Sequence, residues 1–165
     1  MSIYTDELNT TLEPKGQAET NPHNLCYAQY EIDFSGNANN TPLNLIPIAQ
    51  CGDHILLTDD SAAVVLCPGY VYLTAFNARG TVPPENYFGI TPLDEPDAPT
   101  ADYSAQAHAS VSNAEITVSN TFLVPALTGK QLKFLLTTSF DAEIPVTGTI
   151  SIIRISAIKP DIAVS

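Results

Sequence analysis

From Tyr27 onward, apolar and polar residues alternate in short runs, and each run is closed by Gly, Pro, Asn or Asp. A period of two puts successive side chains on opposite faces of an extended chain, so each run reads as a strand with one face inward. The runs are 27–34 (YAQYEIDF), 43–49 (LNLIPIA), 54–58 (HILLT) and 62–67 (AAVVLC), with Asp59, Asp60 and Ser61 turning between the last two. Next come 70–78 (YVYLTAFNA), opened by Pro68 and Gly69, then 87–91 as a short edge candidate, 103–111, 115–124, 131–138 and 149–158. No stretch shows the 3.6-residue period of an amphipathic helix. About ten strands separated by turns predict an all-β fold, an antiparallel two-sheet jelly-roll sandwich.

Residues 1–25 read differently. They are polar, broken by Pro14, Gly16 and Pro22, and carry no sustained period. The reading is an extended N-terminal arm on a jelly-roll domain spanning 26–165. Ile3, Tyr4, Leu8, Leu12 and Leu25 are spaced along it as separate apolar anchors that would enter grooves on a larger partner. The opening residues carry two acids and no apolar run, unlike a secretory or transit peptide, and no apolar stretch is long enough to cross a bilayer as a helix.

Composition narrows the functions. The net charge of −12, from 18 acidic and 6 basic residues, argues against a nucleic-acid surface or an anionic membrane surface, both of which need clustered Lys and Arg. Only 15% of residues are charged while 44% are hydrophobic, which suits a chain that buries surface against partners. Cys26, Cys51 and Cys67 are odd in number and lack metal-ligand spacing, so they read as reduced thiols of a protein made in a cytosol.

The candidate chemistry is thin. His23, His54 and His108 have no Cys, His or Glu at a metal-ligand offset, and there is no nucleophile elbow and no Gly-rich phosphate loop. Asp141 and Glu143 flank a turn. The chain is therefore expected to be neither an enzyme nor a cofactor binder. Residues 92–102 (PLDEPDAPTAD), with three prolines and four acids, are expected to project as a stiff, solvated loop; Asp94, Glu95, Asp97 and Asp102 are the oxygen ligands a Ca²⁺ ion would use there.

The run at 70–78 is apolar on both faces, with Tyr70, Tyr72 and Phe76 on one and Val71, Leu73 and Ala75 on the other. A strand covered on both sides lies between a core and a second layer, here another subunit. This makes Tyr70, Tyr72 and Phe76 candidate subunit contacts. Exposed rings on such a strand are also what a carbohydrate platform would use.

The segment Cys67–Asn77 (CPGYVYLTAFN), followed by 119–124 (SNTFLV), 127–132 (LTGKQL) and 148–155 (GTISIIRI), resembles the bacterial and phage branch of the C1q/TNF-like domains. The likeness covers roughly residues 30–158 and rests on the order and spacing of these motifs. It implies a ten-stranded jelly roll that assembles as a compact homotrimer, with Phe122 among the side chains turned toward the threefold axis. The resemblance and the arm together imply a non-enzymatic virion protein, a trimeric capsid decoration or head-fibre protein of a phage. Its partner would be the major capsid protein or another virion protein, and it would be made in the host cytoplasm and carried on the virion surface. The alternative is a receptor- or glycan-binding tip of a tail fibre or bacterial surface protein, with a host-surface glycan as partner.

Overall fold

The computed structural model describes residues 25–36, 39–95, 98–99, 101–110 and 114–158. Four of the five arm anchors, Ile3, Tyr4, Leu8 and Leu12, lie outside the described residues; the fifth, Leu25, is exposed just ahead of the first strand.

Among the described residues there are twelve strands: β1 (Tyr27–Gly36), β2 (Thr41–Pro42), β3 (Leu45–Cys51), β4 (Ile55–Leu57), β5 (Ala63–Leu66), β6 (Tyr70–Val82), β7 (Tyr87–Glu95), β8 (Ala98–Pro99), β9 (Ala105–His108), β10 (Ala114–Ala126), β11 (Lys130–Thr138) and β12 (Ile144–Ala157). A single 3₁₀ turn, Ala101–Tyr103, is the helical part of these residues. The strands form two antiparallel sheets, one ordered β10-β6-β12-β1-β3, the other β4-β5-β11-β7-β8 with β2 beside β11 and β9 beside β7. The fold is an all-β jelly-roll sandwich.

The period-two pattern explains the packing. In β6 the inward positions are Tyr72, Thr74, Phe76, Ala78, Gly80 and Val82; in β12 they include Ile144, Val146, Ile150 and Ile152. Leu132, Phe134 and Leu136 of β11 and Phe88 and Ile90 of β7 meet them from the other sheet. The rings of Phe76 and Phe134 touch edge to face across the gap, 6.2 Å between centroids. Removing this apolar surface from water is the main force holding the two layers together.

Gly148 marks the tightest crossing. A Cβ there would lie 2.1 Å from the Asn77 carbonyl oxygen and 2.7 Å from Ala78 Cα, so β12 and β6 approach only because residue 148 has none. The expected Asp59-Asp60-Ser61 turn is present: Asp60 Oδ1 accepts from the Thr58 hydroxyl at 2.6 Å and from the Ala62 N–H at 3.1 Å. These bonds hold the Asp60 carboxyl below the usual carboxylate range.

Two expectations need correction. The run at 87–91 is not a short edge strand: β7 extends to Glu95 and is flanked by β11 on one side and by β9 and β8 on the other. Pro92 falls in the gap between β9 and β8, where a missing N–H costs no ladder bond on that side. Residues 92–102 are consequently not one projecting solvated loop. Pro92–Glu95 continue β7, Ala98–Pro99 fold back on Leu93 and Asp94, and Asp94 is ion-paired with Lys130 of β11. Asp97 lies outside the described residues.

Candidate assembly face

The outward side of the five-stranded sheet is organised in rungs that cross the strands. Leu123 of β10, Leu73 of β6, Ile153 of β12 and Tyr27 of β1 align in one rung. All four are apolar or aromatic. Val71, Pro125 and Ser156 align one step further toward the end of the sheet, where Ile155 stands at a β-bulge and Leu25 leads into β1. Leu123 and Ile155 are each 49% exposed, a large fraction for aliphatic side chains on a sheet face.

In the opposite direction the face becomes small and then polar. The next rung is Thr121, Ala75, Ser151, Gln29 and Ala49. Beyond it come Ser119, Asn77, Thr149, Glu31 and, on β3, the exposed Ile46, then Thr117, Arg79, Thr147 and Asp33. Arg79 Nε donates to Thr147 Oγ1 at 3.1 Å, and a depression of about 310 Å³ is lined by Glu31, Asn77, Arg79, Thr147, Gly148 and Thr149. One sheet face thus carries an aliphatic half and, apart from Ile46 at its β3 edge, a hydrophilic half, divided by a rung in which every residue but Gln29 is small.

Three of the four aromatic residues expected at a subunit interface are elsewhere. Tyr72, Phe76 and Phe122 are buried between the two sheets of a single chain. Phe122 stacks on Tyr103 with ring centroids 4.2 Å apart, and Tyr72 donates its hydroxyl to the Cys67 carbonyl at 2.8 Å. The two faces of β6 were separated correctly by period, but the aromatic one fills the space between layers, while Val71, Leu73 and Ala75 look outward. Broad rings suit the roughly 10 Å gap between packed sheets; shorter aliphatic side chains leave a flatter outer surface.

The fourth, Tyr70, is half-buried at the end of the sandwich in a cluster that no local motif announced. His54 meets its ring edge-on at 4.8 Å and the Arg154 guanidinium lies over it at 4.7 Å. Arg154 Nη1 is 3.2 Å from His54 Nε2, and His54 Nδ1 is 2.8 Å from Asp53 Oδ1. An arginine can only donate, so Nε2 accepts and the proton sits on Nδ1, toward Asp53. The bulge between Arg154 and Ser156 offsets the register of β12 against β6 where Arg154 closes over the core. The only sequence signal was the basic residue inside an otherwise aliphatic strand.

Among the described residues no group of three or more His, Cys, Asp or Glu side chains is arranged to hold a metal ion. Of the four carboxylates considered for calcium, Asp94 is engaged by Lys130. Cys26, Cys51 and Cys67 are unbridged.

No family model matches this sequence, and no curated protein matches it. Solved structures do. The Eiger TNF of S. frugiperda superposes with a TM-score of 0.64 at 9% identity, over 83% of this chain and 96% of that one. The globular domain of zebrafish complement 1qA gives 0.59 at 12% identity, over 80% and 98%. The vertex protein P5 of PRD1 gives 0.52 at 17% identity, over 78% and 97%. The sandwich built by this chain is therefore a jelly roll of the TNF and C1q type.

Proposed function

We propose that this chain is a non-enzymatic structural protein of a phage virion, a trimeric capsid decoration or head-fibre protein. The outward face of the five-stranded sheet makes the trimer contact, and the arm of residues 1–25 holds the trimer on the capsid. The observation that carries the reading is the aliphatic rung of Leu123, Leu73 and Ile153 on a face that no other layer covers among the described residues. An apolar sheet face of this kind is costly in water and is relieved by packing against the surface of another copy of the chain. The likeness to a protein named for a virion vertex supports the same reading. On it, synthesis is cytoplasmic, the final location is the virion surface, and the partner is the major capsid protein or another virion protein.

The alternative of a glycan-binding tip draws less support. Tyr70 borders a depression of about 260 Å³, but its ring face is already covered by Arg154. The deciding experiment is deletion of residues 2–24, followed by mixing with particles that lack the protein. The truncated protein is expected to stay a folded trimer and to lose attachment; full decoration by the truncated protein would move attachment to the sandwich and sink the role of the arm.

A further inference from the structure

Leu127 is 72% exposed, more than any other large aliphatic side chain among the described residues, and it opens the turn between β10 and β11. Tight turns favour Gly, Asn, Asp and Ser, so local geometry does not call for a leucine there. Backbone bonds fix which end of the sandwich it occupies. The Gly69 N–H donates to the Ala126 carbonyl at 2.7 Å, the Ile158 N–H to the Gly69 carbonyl at 2.7 Å, and the Arg154 N–H to the Cys26 carbonyl at 2.9 Å. Leu127 therefore shares one end with Ile158 and with the exposed Leu25. Leu25 and Ile158 are the first and last described residues, so residues 1–24 and 159–165 both continue from this end. The charged side chains described around it have partners within the chain: Asp53 pairs with His54, Asp94 with Lys130, and Arg154 lies over Tyr70. The opposite end differs. Its turns, β4 to β5, β6 to β7 and β11 to β12, expose Asp59, Asp60, Glu85, Asp141 and Glu143.

We propose that this end of the sandwich is a second attachment surface, on which Leu127 and Leu25 pack against an apolar patch of the same virion protein that holds the arm, and that the acidic end points away from the particle. The inference rests on the role given to residues 1–25 above. The occupant follows from where the chain leaves the sandwich: a protein that binds residues 1–24 must lie next to Leu25, and Leu127 is the exposed aliphatic residue on the neighbouring turn. Once the arm is bound, contact by the adjacent end is an intramolecular step, so a small apolar patch adds to the affinity without having to bind alone. A threefold axis repeats this end at one level of the trimer, which presents the patch three times to one lattice. Paired charges at this end lower the cost of covering it, whereas burying the unpaired carboxylates of the opposite end would be unfavourable.

The test uses the full chain with Leu127→Asp, Leu127→Ser and, at the opposite end, Glu143→Lys. Each protein is titrated onto particles that lack it, with mass followed by sedimentation equilibrium and folding by circular dichroism. Leu127→Asp is expected to remain a folded trimer and to need at least about tenfold more protein for half-saturation, Leu127→Ser to shift the same way by less, and Glu143→Lys to bind like the parent. Binding by Leu127→Asp equal to that of the parent overturns the second surface, and so does weakened binding by Glu143→Lys alone. A Leu127→Asp protein that falls apart into monomers assigns the residue to the subunit contact, and a parent of six chains that it converts to three assigns it to a second trimer; either result overturns the proposal. Failure of the arm reading is seen separately, in the deletion of residues 2–24: a truncated protein that loses attachment while Leu127→Asp keeps it leaves the arm standing and removes the patch. A parent that does not bind the particles overturns both.

Discussion

Leu73 and Ile153 stand opposite each other on β6 and β12, and both side chains point away from the core. Leu123 extends the contact from the other side of Leu73. This places an aliphatic ridge across three neighbouring strands on the side of the sheet not occupied by the second layer. A change of charge on this ridge should act on assembly and spare the fold. Leu73→Asp is expected to weaken trimer formation by about a hundredfold or more, with a monomer that keeps its β-rich circular dichroism. Phe76→Ala, on the inward side of the same strand, should instead lower stability by about 3–5 kcal/mol. Melting curves and sedimentation on the two variants separate the faces; a Leu73→Asp protein that assembles like the parent would show that the ridge is not the contact.

Gly148→Ala should cost about 2 kcal/mol or more, because the new methyl meets the backbone of Asn77 and Ala78 and neither strand can yield without breaking the ladder. Urea titration measures it. A loss within experimental error would mean that β6 and β12 stand further apart than they do here.

Which residues form strands was legible in the sequence, because a period of two survives wherever one face is buried. The nine longest strands all overlap predicted runs, and the Asp59-Asp60-Ser61 turn fell where its side chains cap their own backbone. Which face of β6 looks inward was not legible. Tyr72 and Leu73 are both apolar, and periodicity separates two faces without saying which one meets the second sheet. The extension of β7 was hidden by Pro92 and the two acids Asp94 and Glu95, since local composition cannot show that Lys130 awaits Asp94 across the ladder. β2 and β8, two residues each, have no period to read. The Tyr70, His54 and Arg154 cluster joins residues from three distant segments and depends on a bulge, which leaves no local signature.

Tyr30 buries a hydroxyl that has no partner among the described residues, and desolvation, with a further contribution from Cys26, pushes its pKa up to about 12. The folded state thus favours the neutral phenol, while the unfolded chain ionises near the ordinary value of 10.0. The resulting stability is fully present below that value and is lost as pH rises through the folded one. Tyr30→Phe is expected to leave stability at neutral pH unchanged or raised by about 1 kcal/mol, and to soften the loss in alkali. Urea unfolding from neutral to strongly alkaline pH checks both; a clearly destabilised Tyr30→Phe protein would reveal a partner for the hydroxyl.

The Thr58 hydroxyl is the first cause of the lowered Asp60 pKa, followed by the Ala62 N–H. Thr58→Val should therefore move the Asp60 titration upward, toward an ordinary aspartate. The turn's ionic contribution is present at neutral pH and disappears as pH falls through the lowered value, a small effect because the carboxylate is exposed. A carboxyl-carbon NMR titration of the two proteins reads the shift directly, and identical curves would dissociate the hydroxyl from the turn.

The central claim is that the outward face of the five-stranded sheet is covered by copies of the same chain. Sedimentation equilibrium of the full-length protein at micromolar concentration, with EDTA present, tests this most directly. The account predicts a mass of three chains; a mass of one chain, with the sandwich intact by circular dichroism, would contradict it.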